Sequence, residues 1–173
     1  TTPPADAATV VLLRDTADGL QVLLLRRHQA SNVFGGGYVF PGGKLDAADQ
    51  HPEILSRLSQ GSDHLHARLA EPDLPHAKAG GLFVAAMREA FEECRVLLGQ
   101  AENGSADLSA LQASLASGQS WSQALQAHAL TLQTEALVPW TRWITPKQAS
   151  VTNKRFDTRF FITQVPADQT ARH

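Results

Sequence analysis

From Leu82 to Leu98 the chain carries neither glycine nor proline, and it then meets Gly99, a residue suited to the position just past a helix end. No other stretch limits the fold as much, and it predicts a helix. At about 100° per residue, Phe83, Met87, Ala90, Cys94, Leu97 and Leu98 fall on one broad side, while Glu89, Glu92 and Glu93 fall together on the opposite side. One side is core and the other is acidic. Like charges four residues apart, as Glu89 and Glu93 are, cost a helix a few tenths of a kcal/mol, so compensation is expected. Two forms are open. Arg88 and Arg95 pair with Glu92 at i+4 and i+3 on a solvated face, or a divalent cation sits among three carboxylates, the hard oxygen ligands that Mg²⁺ prefers.

The remaining chain supplies strands and smaller helices. Thr9 to Leu13 and Leu20 to Leu25 are β-rich runs around Asp18-Gly19, which predicts a hairpin. Tyr38-Val39-Phe40 is a short strand that Pro41-Gly42-Gly43 is expected to end, handing over to a loop. Residues 51 to 81 turn polar, with a short helix around Pro52 to Leu58, and have the character of an insertion. Leu108 to Ala116 and Ser120 to Leu130 predict two helices about Gly118, and Ala136 to Thr145 and Arg155 to Thr163 return to strand content. The class is α+β.

Composition narrows function. A chain of 173 residues, 43% hydrophobic and 18% charged, has the size and content of one globular domain spanning 1–173, and no apolar run approaches the ~20 residues of a membrane-spanning helix. A net charge of −2 without a basic block lacks the footprint of a nucleic-acid binder, so a small anionic ligand needs a local cation. Cys94 is the sole cysteine, which excludes an internal disulfide and points to a reducing, cytoplasmic setting. No export signal opens the chain, although it does not begin with Met.

Gly43, Asp49 and the run Arg88-Glu89-Ala90-Phe91-Glu92-Glu93-Cys94-Arg95-Val96 together resemble the two halves of the Nudix box, G-x5-E, x7, R-E-U-x-E-E-x-G-U, where U is a bulky aliphatic. Asp49 stands at the first Glu, Arg95 at the second Gly and Ala90 at the first U, and the spacer has grown into Gln50 to Met87. That interruption is similar to the coenzyme A diphosphatase subgroup, as are Phe40-Pro41-Gly42-Gly43, Trp143-Ile144-Thr145-Pro146 and Arg155 to Phe161. A coenzyme A signature of that family, L-L-T-x-R-S-x3-R-x3-G-x3-F-P-G-G, fits at Leu23, Leu24, Arg27, Gly36 and Phe40 to Gly43, and departs at Leu25, His28 and Asn32.

The resemblance implies a Nudix fold: a mixed β-sheet sandwiched between helices, with a helical insertion inside the box. A final strand and helix of that fold, and a further acidic segment, are expected beyond His173. It also implies a Mg²⁺-dependent diphosphatase, with Mn²⁺ able to substitute. Its substrate is a small nucleoside diphosphate linked to another moiety, with coenzyme A or acyl-coenzyme A leading. ADP-ribose, a dinucleotide or a nucleotide sugar is the alternative, as is a nucleotide-binding domain without turnover. Family habit adds a homodimer. On this basis Glu89, Glu92 and Glu93 are metal ligands, Arg88 orients them, and Gly42, Gly43, Arg27 and Phe40 meet the substrate. The general base comes from a box glutamate or from outside the box, Glu135 being one candidate.

Several residues keep two readings. Asp46 and Asp49 are secondary acids or ordinary turn and cap residues. His51, His64, His66 and His76 form a polar loop rather than a zinc site, for lack of ligand spacing. Trp121, Trp140 and Trp143 are core or pocket wall rather than stacking platforms, and Cys94 on the apolar side is a buried inert thiol.

Overall fold

The computed structural model describes residues 3–26, 36–147 and 154–172. Strand β1 (Ala5–Thr16) is the axis of the main sheet. It turns tightly into β2 (Gly19–Val22), with Gly19 at a φ of 109° where a side chain would be strained. A small ladder joins β3 (Leu25–Arg26) to β4 (Tyr38–Val39). Gly42 and Gly43 do not end the strand content as their type predicts. They open β5 (Gly42–Lys44), which pairs antiparallel with β1 through Thr9 opposite Gly42 and Ala8 opposite Gly43. The reason is room: a Cβ on Gly42 would stand 2.6 Å from the Ala8 carbonyl oxygen, so only glycine lets the backbones approach this closely.

A 3-10 turn, Ala47–Gln50, precedes α1 (Pro52–Leu55) and α2 (Ser62–Leu69), so the insertion is helical. The long helix α3 begins six residues before the expected start, at His76, and ends at Cys94 (His76–Cys94). Gly80 and Gly81 lie inside it. There a Cβ would sit 2.8 Å from Leu55 Cδ2 or 2.6 Å from Gln50 Cγ, so close helix packing demands glycine and outweighs its poor helix propensity. Gly99 is not the helix end. Arg95 takes the left-handed position after Cys94 (φ 60°, ψ 26°), and Gly99 instead opens β6 (Gly99–Ala101).

Helix α4 (Leu108–Ala116) and helix α5 (Trp121–Ala127) follow, the latter opened by a reciprocal Ser120–Gln123 capping box. Strand β7 (Leu130–Leu132) pairs with β6, and β8 (Val138–Ile144) and β9 (Phe156–Gln164) close the main sheet. Its order is β2-β1-β9-β8, with β5 on β1; β1 and β9 run parallel and the other pairs antiparallel, so the sheet is mixed as expected.

Helix α3 is buried on far more than one face, from Ala79 through Arg88 as well as at Ala90, Phe91 and Cys94. It packs on the side of β1 that carries Ala8, Val10 and Leu12, where Phe83 meets Phe161 of β9 with ring centroids 4.8 Å apart. Leu97 and Leu98 are buried as expected, but in extended chain beyond the helix. Trp140 and Trp143 depart from their expectation: both are largely exposed on β8, which among the described residues pairs with β9 alone. Among the described residues no helix is long and apolar enough to cross a membrane.

Candidate functional site

Strand β5 lies along the last turns of α3, and its three residues meet the helix in sequence. Gly42 N–H donates to Glu93 Oε2 at 3.0 Å. Gly43 lies so close to Glu89 that a Cβ there would stand 2.1 Å from Oε1. The Lys44 carbonyl accepts from Arg88 Nη2 at 3.2 Å. Glu93 and Glu89 are one helical turn apart and thus share a face, so two adjacent glycines bring the backbone against both carboxylates.

Arg88 organises the acidic face from below, and every guanidinium nitrogen is engaged. Nε and Nη2 grip Asp49 at 2.9 and 3.1 Å, while Nη1 donates to Glu89 at 2.9 Å and to Glu92 at 3.0 Å. Burial works against its charge, but the Asp49 bonds and the surrounding carboxylates outweigh it and push the guanidinium further up. Asp49 is 2% exposed and also accepts from the Asp46 N–H at 2.9 Å. Both aspartates are therefore turn and cap residues, and Asp49 is in addition the buried counter-ion of Arg88. Burial raises the Glu89 carboxyl above its ordinary value; Arg88 opposes this, while Glu92 and Glu93 add to it.

Glu92 is fastened at both oxygens, Oε2 by Arg88 and Oε1 by the Trp121 indole N–H at 2.8 Å. The expected side-chain pair with Arg95 does not form: Arg95 Nη1 bonds the carbonyl oxygens of Phe91 and Glu92, satisfying the helix end. A cavity of about 770 Å³ opens beside Glu92 and Glu93, lined also by Arg95, Gln112, Asp168 and Arg172. The segment carrying the last two is anchored by Gln169, which bonds both the N–H and the carbonyl of Leu97, and by Arg172 N–H to the Cys94 carbonyl.

Residues 4–172 match the sequence model of the NUDT19 Nudix domain. The chain belongs to that family. It is similar to the acyl-coenzyme A diphosphatase NUDT19 of Homo sapiens, 32% identical over 182 residues covering 84% of this chain and 48% of the relative. It is also similar to the protein of the same name from Xenopus laevis, 27% identical over 176 residues, covering 82% and 46%. The chain thus spans about half the length of these curated relatives. A NUDIX hydrolase structure from Alicyclobacillus acidocaldarius superposes with a TM-score of 0.73 at 28% identity, over 100% of this chain and 76% of that one. A MutT/nudix family protein from Enterococcus faecalis, at 14% identity and a TM-score of 0.52, shares the fold.

In this Nudix domain the box departures have local reasons. Arg95 in place of glycine accepts the left-handed conformation, at roughly 1–2 kcal/mol, and recovers part of it through its carbonyl bonds and its position over the Phe91 ring. Nudix hydrolases generally use divalent metals, and the donor chemistry fits one: Asp49 neutralises Arg88, leaving an excess of carboxylate charge on the acidic face. Among the described residues no three His, Cys, Asp or Glu side chains already converge as a metal cage. A small hard cation asks for less, since Mg²⁺ typically takes one or two carboxylates and completes its shell with water and phosphate oxygens.

The other singled-out residues fall elsewhere. Phe40 is half-buried just ahead of β5, and Arg27 lies outside the described residues. Glu135 accepts from Ser59 Oγ in the insertion. His51 caps α1, and His66 stacks on His76 at 4.1 Å. Cys94 is fully buried, and burial, with a contribution from Glu93, pushes its thiol up to about 12. The bond from Trp121 to Glu92 went unread in the sequence. A capping box marks where α5 starts, but no local pattern says what its first residue touches.

Proposed function

We propose that this Nudix domain hydrolyses the diphosphate bond of a nucleotide-linked substrate with the help of Mg²⁺ or Mn²⁺, and that the substrate is coenzyme A or an acyl-coenzyme A. The observation that carries the reading is the contact of Gly42 and Gly43 with Glu93 and Glu89, which sets the β5 backbone directly against two carboxylates of the box. The names of the relatives, acyl-coenzyme A diphosphatases, support the substrate class.

Glu89, Glu92 and Glu93 would hold the cation. When bound there, a divalent cation would supply neutralisation of the charge on the diphosphate during attack by water. Arg88 holds Glu89 and Glu92 in orientation while Asp49 fixes Arg88 from behind. A box glutamate is the proposed base in preference to Glu135, whose carboxylate accepts from Ser59 Oγ in the insertion. Gly42 and Gly43, lacking side chains, let the β5 backbone come directly against Glu93 and Glu89, and the cavity beside Glu92 and Glu93 takes the remainder of the substrate. Phe40, and Arg27 by its place in the coenzyme A signature, are proposed substrate contacts.

The test is product release from coenzyme A, ADP-ribose and NADH with and without Mg²⁺, for the wild type and Glu93→Gln. Cleavage of coenzyme A to 3′,5′-adenosine diphosphate and a phosphopantetheine part, lost in Glu93→Gln with an unchanged melt, is the expected result. Preference for ADP-ribose or NADH would overturn the substrate, and full activity in Glu93→Gln or binding without cleavage would overturn the mechanism.

A further inference from the structure

Glu92 is the most exposed of the three box glutamates, with its side chain 42% open, yet it is held at both oxygens by groups from different elements. Arg88 comes from its own helix, one turn away. Trp121 comes from α5, beyond α4, and is 9% exposed with its ring edge-on to Phe91 at 5.6 Å. A buried indole has one polar atom, and here its N–H donates to a carboxylate of the acidic face. An exposed glutamate on a helix would otherwise sample several rotamers, and fixing it removes that freedom. Glu92 and Glu93 both line the neighbouring cavity, and each oxygen of a carboxylate can accept more than one bond.

We infer that Trp121 is a positioning residue for the acidic face: its indole N–H fixes Glu92 so that the carboxylate meets a divalent cation in one orientation, making the α4–α5 hairpin part of the catalytic apparatus. This rests on the metal-assisted diphosphatase reading. Groups that orient metal-binding carboxylates typically contribute 10- to 100-fold in metal affinity or activity. Trp121→Phe keeps an aromatic ring against Phe91 and deletes the N–H. Trp121→His restores a donor, because its Nε2 stands as many bonds from Cβ as the indole nitrogen.

The experiment has two arms. In the first, Mn²⁺ binding to the substrate-free protein is followed by electron paramagnetic resonance, and kcat and KM are measured with coenzyme A. Trp121→Phe is expected to weaken Mn²⁺ binding and lower kcat by roughly 10- to 100-fold with KM within about twofold, and Trp121→His to recover part of both. In the second, the indole N–H signal that disappears in Trp121→Phe is followed in ¹⁵N-labelled protein, and it is expected to move in Glu92→Gln and on adding Mg²⁺. Mn²⁺ affinity and kcat of Trp121→Phe at wild-type level, or an indole signal indifferent to Glu92→Gln, would overturn the inference. Should the wild type cleave no diphosphate, the functional reading falls while the Mn²⁺ and resonance measurements still decide the role of Trp121.

Discussion

Adding a single methyl group at Gly43 separates chemistry from stability. The Cβ of Gly43→Ala would lie 2.1 Å from Glu89 Oε1 and 2.5 Å from its Cδ, against 3.4 Å for ordinary contact. The carboxylate must therefore retreat by about 1.3 Å, and a misplacement of about 1 Å in a reacting constellation costs roughly 100-fold in rate. Because what is displaced is a side-chain end rather than backbone, the cost to the fold stays at the low end of overpacking, about 1 kcal/mol. The neighbouring Gly42→Ala is the control. Its Cβ meets backbone, 2.6 Å from the Ala8 carbonyl oxygen and 2.8 Å from Thr9 Cα, so β5 must part from β1. That overpacking costs about 1–3 kcal/mol, or a fall in Tm of roughly 2–12 °C at this chain length. Thermal melts by circular dichroism beside Mg²⁺-dependent product release read both quantities. Wild-type turnover in Gly43→Ala, or a larger loss of Tm there than in Gly42→Ala, would refute the reasoning.

Asp49→Asn removes the charge that neutralises buried Arg88 and should lower stability by about 3 kcal/mol, since Glu89 and Glu92 still pair with the guanidinium; urea melts showing no change would contradict the buried pair. Burial alone would raise the Asp6 carboxyl, but the bonds from Lys78 and Arg159 outweigh it and hold it below its ordinary 3.8. Stability from this lowered pKa is present above pH 3.8 and lost as pH falls through the folded-state value. The Tm gap between wild type and Asp6→Asn should therefore be widest near neutral pH and shrink below pH 3.8; a gap that grows on acidification would reverse the sign. Cys94, buried and shifted to about 12, should resist iodoacetamide at pH 8 in the native protein and react once denatured, which mass spectrometry of the labelled chain checks.

Local pattern was enough to read the long helix, the acidic triplet and the β1–β2 hairpin, because spacing along a helix and a tight turn both depend on neighbours in sequence. The two small helices about Gly118 and the closing strands were legible for the same reason, although the second helix stops at Ala127 and Leu130 opens β7, where β6 supplies a strand partner. Where the reading failed, a distant partner had set the answer. Gly80 and Gly81 stay helical because Leu55 and Gln50 press on them, and Gly42 and Gly43 become strand because β1 lies alongside. Asp49 keeps two readings in the sequence, secondary acid or turn residue, and the grip of Arg88, 39 positions away, decides between them.

The amino-acid order by itself determined that one helix would carry an apolar side and three glutamates, and the Gly-Gly pair ahead of the insertion pointed to the same family of sites. Only the tertiary structure decided that Gly42 meets Glu93, that Asp49 is spent on Arg88, and that Trp121 reaches Glu92. The physical reason is that periodicity fixes which side of an element a residue occupies, whereas hydrogen-bond partners more than twenty residues away are chosen by how the packed elements close on one another.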